Sequence, residues 1–390
     1  MIMRERGHLT MQLEGKYGTA IIYNDHVEKT ALDQIKALLD TRLAVDANIR
    51  VMPDIHAGIG CVIGTTMQIH DAVCPNLVGV DIGCGVLATS LGQDEIDPVM
   101  LDRFTRKQIP SGFKTHAEHK EPHEFAQSLK LEEMVCADSL DADFERAYRS
   151  IGTLGGGNHF IEIAVGADDT KWLIAHSGSR NIGYQVANHY QELAERTCTD
   201  EVPFELKYLT GTAMENYLAD MAHMQRFARV NREAITRDIV DFLGRPHVPG
   251  IHTVHNYVDD AMMLRKGAVS AHAGEQFIIP FNMADGSLLC AGKGNAEWNF
   301  SAPHGAGRTM SRSAARKALT MADFRSRMKD IYSTSVHPET LDEAPAAYKD
   351  AGTIEHLMEP TATVVDCLKP IYSFKAHGGG CRSHRRKDRR

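Results

Sequence analysis

This 390-residue chain lacks most of the features that would assign it to a specialised class. No apolar run approaches the ~20 residues needed to span a bilayer. The opening MIMRERGHLTMQLEG has no apolar core of a signal peptide. The expected location is therefore the cytoplasm, with no membrane partner. None of the eight cysteines forms a Cys-x-x-Cys pair, which leaves a structural zinc finger unsupported. In a reducing compartment these cysteines are expected as buried residues, ligands or nucleophiles, not disulfides. A basic excess is missing too, with 43 Lys+Arg against 51 Asp+Glu. Nucleic-acid binding needs a local basic surface, not a basic total, so the charge of -8 weighs only weakly against it. There is no internal repeat and no low-complexity linker. The length allows one large domain or two.

What is present is an ordinary globular mixture, 43% hydrophobic and 24% charged, with 20 histidines and 32 glycines. Residues 28–40 read as an amphipathic helix with Ala31, Ile35, Leu38 and Leu39 on one face. Residues 48–52, 77–80, 86–91, 160–165 and 172–175 read as strands. Residues 97–108, 182–197, 214–243, 311–319 and 322–328 read as helices. Residues 114–150 are polar and are expected to form an inserted helical excursion. Residues 251–300 change to short apolar runs broken by glycine, a β-rich pattern. The elements do not alternate as βαβ units, so the expected class is α/β of the α+β type, with mixed sheets surrounded by helices and no doubly wound sheet. The expected division is a catalytic domain over 1–376 and a basic, disordered tail over 377–390.

Five segments share one design, in which a short apolar run meets glycine and then a histidine, cysteine or carboxylate. They are Met52–Gly58, Val78–Gly85, Leu154–Glu162, Ala175–Arg180 and His304–Arg308. Glycine lets the backbone turn sharply and approach a ligand. Asp81 and Cys84 lie three apart around Gly83, and a thiolate can bridge two cations while the carboxylate holds one. Imidazoles of His159, His176 and His255 would complete two sites. Such mixed S, N and O donors suit manganese, zinc or cobalt. Taken singly, each histidine is better explained as a hydrogen-bonded core or surface residue than as a ligand, and Cys84 as a small buried hydrophobe. Repetition of the design is what carries the metal reading.

The order of GVDIGCGV, GGGNHFIEI, HSGSRNIGYQ, VHNYV, RKGA and SAPHGAGRTMSR resembles the RtcB family of RNA-splicing ligases, from about Pro53 to Lys375. The resemblance implies a single large fold and two divalent metal ions, usually manganese, held by Asp81, Cys84, His159, His176 and His255, with Cys84 touching both. It implies that His304 accepts GMP from the co-substrate GTP. Asn158, Glu162, Gly305, Ala306, Gly307 and Lys375 would help hold the nucleotide, and Arg180 and Arg308 would contact phosphate or RNA. The implied partners are RNA with a 3′-phosphate or 2′,3′-cyclic phosphate end, RNA with a 5′-hydroxyl end, and, for some members, an activating protein.

Other readings of the same residues stay open. His304 can equally be a phosphate binder, Arg180 and Arg308 members of structural ion pairs, and Glu162 a strand-edge carboxylate. Asp54 and His56 either steady the ligands or, for Asp54, cap a turn. His189, His252 and His272 are expected to be structural. The helix carrying Asn231 and Arg232 either offers an RNA-facing surface or packs with one solvated face. The chain departs from the family's pattern at Pro280-Phe281-Asn282-Met283, at Ser301-Ala302-Pro303, and after Lys375. These departures imply a divergent branch acting in RNA repair or tRNA splicing. A dinuclear metallohydrolase opening cyclic phosphates and an RNA-binding paralogue without turnover remain alternatives.

Overall fold

Two seven-stranded sheets carry the architecture, each completed by strands far apart in the chain. The computed structural model describes residues 2–5, 8–117 and 129–376. One sheet has the strand order Ile2–Glu5, His8–Glu14, Thr19–Ile22, Ile49–His56, Ile63–Gln68, Met263–Lys266, Asn256–Val258. Its single parallel pair, Thr19–Ile22 with Ile49–His56, is joined by the helix Lys29–Leu39. A parallel pair needs such a crossover. That helix buries Ala31, Ile35, Leu38 and Leu39, the face expected from their spacing.

The second sheet is antiparallel throughout, in the order Ile251–Val254, Gly85–Ser90, Lys171–Ser177, Phe160–Val165, Ala362–Lys375, Gly286–Gly292, Gln276–Asn282. Its central strands are apolar runs such as FIEIAV, buried on both faces. Its two outer strands approach each other, and the Ile278 N–H donates to Thr253 Oγ1 at 2.9 Å. The sheet therefore curls towards a barrel. The 32-residue helix Gly211–Phe242 packs against it. The result is the α+β class, with mixed and antiparallel sheets and no doubly wound core. Among the described residues no helix is long and apolar enough to cross a membrane.

Several element expectations change. Residues 77–80 are not a strand; a helix spans Pro75–Val78 instead. Pro75 suits the first helical turn, and a four-residue apolar run cannot reveal its own period. The strand expected to end at Pro53 continues to His56 through an irregular register. Of the expected excursion, 118–128 lie outside the described residues; the rest holds 3-10 turns and the short helix Phe144–Tyr148. Asn231 and Arg232 are 0% and 1% exposed, so the part of the helix that carries them faces the protein interior, not RNA. The tail expected over 377–390 also lies outside the described residues.

Candidate active site: two donor groups beside a histidine–aspartate pair

The ends of both sheets meet, and the glycine turns project their side chains into that junction. Val86 and Phe160 both pair with His176 across neighbouring strands. Cys84, just before the first of these strands, and His159, just before the second, therefore reach the same end of the sheet as His176. His255 follows the outer strand Ile251–Val254, and its N–H donates to the Cys84 carbonyl at 3.0 Å.

Cys84 Sγ lies 3.4 Å from His159 Nε2 and 3.3 Å from His176 Nε2. His159 Nε2 lies 3.0 Å from Asp81 Oδ2. The donors fall into two groups, Asp81/Cys84/His159 and Cys84/His176/His255, with the atoms of each within 4.8 Å of one another. Cys84 belongs to both. His159 Nδ1 lies 2.8 Å from the Leu154 carbonyl and donates a proton there, so a cation that displaced the proton between Nε2 and Asp81 would meet an Nε2 lone pair. Burial first, then neighbouring imidazoles, pushes His176 and His255 well below the usual histidine range, so both rings are neutral donors. Burial opposes ionisation of Asp81, but His159 and the charge of Arg180 outweigh it and hold the carboxyl at about 2. Burial and then Asp81 push the Cys84 thiol well up. A divalent cation at that position would reverse this preference and stabilise the thiolate. The donor set fits two ions of borderline softness.

From His176 the imidazoles continue edge to face, with ring centroids 5.1 Å apart to His255 and 4.9 Å from there to His304. His304 Nδ1 lies 2.6 Å from Asp54 Oδ2, which also accepts the His304 N–H at 3.2 Å. Asp54 is fully buried, and its Oδ1 has no hydrogen-bond partner among the described residues. The ring nitrogen facing a carboxylate carries the proton, so His304 Nε2 presents a lone pair. Gly307 permits this approach. It has φ +71, and a Cβ there would lie 2.1 Å from the Asp54 carbonyl oxygen. Lys349 donates to the carbonyls of Pro53 and Ile55 at 3.2 and 2.6 Å and steadies the strand on either side of Asp54.

His176, His255 and His304 line one side of a cavity of about 990 Å³, at the large end of the ~300–1,000 Å³ usual for ligand pockets. Glu162 and Lys375 line another part, and Asn158 is exposed at its border. Burial lifts the Glu162 carboxyl to about 8 against the opposing charge of Lys375, and its Oε1 has no partner among the described residues. The strand-edge surface reading of Glu162 does not hold, because the residue is 3% exposed. Lys375 is ion-paired with Glu343 and lies over the Phe160 ring at 5.7 Å. Gly305, Ala306 and Gly307 line the cavity, as does the departing segment Pro280-Phe281-Asn282-Met283.

The two expected phosphate arginines are both engaged by protein. Arg180 donates to Thr153 Oγ1 at 3.1 Å and to the Gly112 carbonyl at 3.2 Å, behind Asp81. Arg308 lines the cavity but also donates to the Asp342 carbonyl at 2.7 Å and lies over the Tyr348 ring at 5.1 Å. Arg312 lines the same cavity, pairs with Asp342 at 2.7 Å and keeps 41% of its side chain exposed. His56 makes a 2.9 Å contact to the Asp54 carbonyl, and His252 lies 3.3 Å from Glu233. Glu343, Tyr348 and Lys349 carry no signal in the sequence. They lie in a stretch of 3-10 turns with no glycine-histidine signature, and no local pattern marks them.

A model of the family described as tRNA-splicing ligase RtcB matches residues 34–376. The chain is 31% identical to the RNA-splicing ligase RtcB of Escherichia coli K12, over 84% of this chain and 90% of that protein. It is 28% identical to the tRNA-splicing ligase RtcB of Aeropyrum pernix, over 90% of this chain and 94% of that protein. It is 29% identical to the RNA-splicing ligase RtcB homolog 1 of Entamoeba dispar, over 83% of this chain and 78% of that protein.

Proposed function

The chain belongs to the RtcB family, and on that premise we propose that it is a GTP- and metal-dependent RNA ligase. In this reading it joins a 3′-phosphate or 2′,3′-cyclic phosphate end to a 5′-hydroxyl end through GMP carried on His304. The observation that carries the reading is the His304–Asp54 pair at 2.6 Å, set beside the metal-type donors in the large cavity. A phosphate-binding histidine needs no buried carboxylate on its far nitrogen; a nucleophile gains from one, which fixes its tautomer and offsets charge formed on the ring.

His304 Nε2 attacks the α-phosphorus of GTP. The N–P bond forms, the bond from the α-phosphorus to the bridging oxygen breaks, and pyrophosphate leaves. Asp54 keeps the Nδ1 proton in place and balances the positive charge on the substituted ring. Where the RNA ends in a 2′,3′-cyclic phosphate, water first opens the ring, breaking the bond to the 2′-oxygen and leaving a 2′-hydroxyl and a 3′-phosphate. A 3′-phosphate oxygen then takes the GMP from His304, which restores the neutral imidazole. The 5′-hydroxyl oxygen attacks the activated phosphorus and its proton passes to solvent, the bond to the GMP phosphate oxygen breaks, and GMP leaves as the new phosphodiester forms. Asp81, Cys84, His159, His176 and His255 would hold two divalent ions, manganese being the expected metal. Bound there, the ions supply charge neutralisation at the phosphoryl oxygens. Glu162 and Lys375 offer an acceptor and a donor to the guanine edge, and Arg308 and Arg312 offer positive charge to phosphates. We place the work in RNA repair or tRNA splicing in the cytoplasm.

The test is incubation of the full chain with manganese and GTP labelled at the α-phosphate. Label on the protein that survives denaturation, is lost in acid and is absent from His304→Asn is the expected result. Absence of label from protein holding two ions, together with opening of a 2′,3′-cyclic phosphate, would replace the ligase with a metallohydrolase.

A further inference from the structure

Behind the donor groups runs the helix Gly211–Phe242, and two consecutive buried residues on it reach the backbone at or beside each of the three glycine segments that carry Asp81, Cys84, His159 and His176. Arg232 NH1 donates to the Gly83 carbonyl at 2.8 Å and to the Ser177 carbonyl at 3.0 Å. Gly83 immediately precedes Cys84, and Ser177 immediately follows His176. One guanidinium nitrogen thus sets the distance between the Cys84 and His176 peptides. Asn231 Oδ1 accepts from Gly152 N and Thr153 N at 2.9 and 3.1 Å. Its Nδ2 donates to the Thr153 carbonyl, Ser177 Oγ and the Gly178 carbonyl at 3.0–3.2 Å. Thr153 precedes Leu154, whose carbonyl holds His159 Nδ1, and Gly178 precedes Ser179, whose N–H donates to Asp81 Oδ1 at 3.0 Å. Asn231 therefore ties the turn behind His159 to the turn behind Asp81.

Arg232 would be an odd choice on charge alone. It is a cation 1% exposed beneath groups suited to cations, with no carboxylate in its hydrogen bonds and its Nε unpartnered among the described residues. A fixed positive charge there opposes metal binding by Coulomb repulsion. Its place is explained by geometry, since the two N–H bonds of NH1 are held in the guanidinium plane and point in set directions, whereas those of an ammonium rotate on a flexible stem. The helix is also seated without slack, because a Cβ on Gly83 would lie 2.9 Å from the Gln225 Cα.

We propose that Asn231 and Arg232 are positioning residues with divided duties: Arg232 fixes Cys84 against His176, and Asn231 fixes the turns that hold His159 and Asp81 against the end of the His176 strand. The proposal rests on the two-metal reading above. Residues that orient ligands in this way are worth about tenfold to a hundredfold in metal affinity.

The experiment titrates the metal-free full chain with Co²⁺ and follows thiolate-to-cobalt charge-transfer absorption, with calorimetry for stoichiometry. His255→Asn and Asp81→Asn serve as references for loss of either group. Arg232→Met and Asn231→Asp each make the surroundings more negative, so charge alone predicts tighter binding. Divided positioning predicts weaker binding of one ion only, by about tenfold or more. The Arg232→Met spectrum should match that of His255→Asn, and the Asn231→Asp spectrum that of Asp81→Asn. Arg232→Lys keeps the charge and carries the same prediction should Arg232→Met not fold. Tighter or unchanged binding would overturn the proposal, as would parallel loss of both ions together with the melting temperature. A wild-type chain that takes up fewer than two ions would overturn the two-metal reading as well, whereas two ions in the wild type with unchanged affinity in the variants would overturn the positioning proposal alone.

Discussion

Asp54→Asn tests whether the buried carboxylate takes part in chemistry at His304. Asp54 Oδ2 accepts both the ring Nδ1–H and the backbone N–H of His304. Asparagine can keep both bonds only with its oxygen in the Oδ2 place, because its amide there would face two donors. The amide nitrogen then occupies the Oδ1 place, which has no partner among the described residues. The tautomer of His304 is preserved, and charge assistance is lost. A hydrogen bond to a charged group contributes about 1.5–3 kcal/mol against roughly 0.5–1.5 for a neutral one. The stranded amide weighs equally on ground and transition states, so the expected loss is the difference between these ranges, about 1–1.5 kcal/mol, or roughly 5- to 13-fold in rate. Were the amide to turn its nitrogen towards Nδ1, the proton would move to Nε2 and the fall would approach ~10⁴-fold. The assay is single-turnover transfer of labelled GMP to the protein, with GTP affinity measured separately. An unchanged rate would refute the role given to the pair, as would a loss confined to GTP binding.

Three further outcomes follow from the same geometry. Because Cys84 belongs to both donor groups, Cys84→Ser should weaken both ions, whereas His255→Asn should weaken one; calorimetric titration with Mn²⁺ decides, and loss of only one ion from Cys84→Ser would contradict the sharing. Burial lifts Glu162 to about 8, so between the unfolded value near 4.5 and 8 the folded chain keeps a proton that the unfolded chain has lost. Stability from that proton is complete below about 4.5 and declines as pH rises to 8; Glu162→Gln should flatten this part of the metal-free melting profile, and parallel profiles would exclude it. Gly307→Ala places a Cβ 2.1 Å from the Asp54 carbonyl at φ +71, so guanylylation should fall well beyond the ~1–3 kcal/mol loss of stability, and a variant with wild-type transfer would show that the approach is not needed.

The donor residues are legible in the sequence because glycine turns leave a signature there: GVDIGCG, GGGNH, HSGSR and HGAGR each place a ligand type beside a backbone bend. The long helices are legible for a similar reason, since 3.6-residue periodicity accumulates over many turns. Local pattern does not carry what long-range closure brings in. Asp54 reads equally as a residue that steadies the ligands or one that caps a turn, because its partner lies 250 positions away. Asn231 and Arg232 read as a polar helix face, since polar side chains are mostly exposed and nothing local announces carbonyls waiting to be paired. Glu343 and Tyr348 sit in or beside 3-10 turns without periodicity. Residues 77–80 mislead for the opposite reason, too short an apolar run for its period to show.

The strand Ala362–Lys375 lies inside the second sheet, between Phe160–Val165 and Gly286–Gly292, yet every one of that sheet's other strands precedes it in the chain. During synthesis, Phe160–Val165 must wait about 200 residues for its neighbour, which at about 5–20 residues per second is roughly 10–40 s. Throughout that interval the nascent sheet has an open seam between Phe160–Val165 and Gly286–Gly292, and apolar strand edges are exposed to mispairing. The same late strand delivers Lys375 to the cavity. A ribosome-bound chain can therefore gather its metal-type donors, all of which lie at or before His255, well before it can complete the pocket that would hold a nucleotide. The pocket is thus closed only at the end of synthesis, and a chain cut short before residue 362 would leave apolar strand edges open to its neighbours.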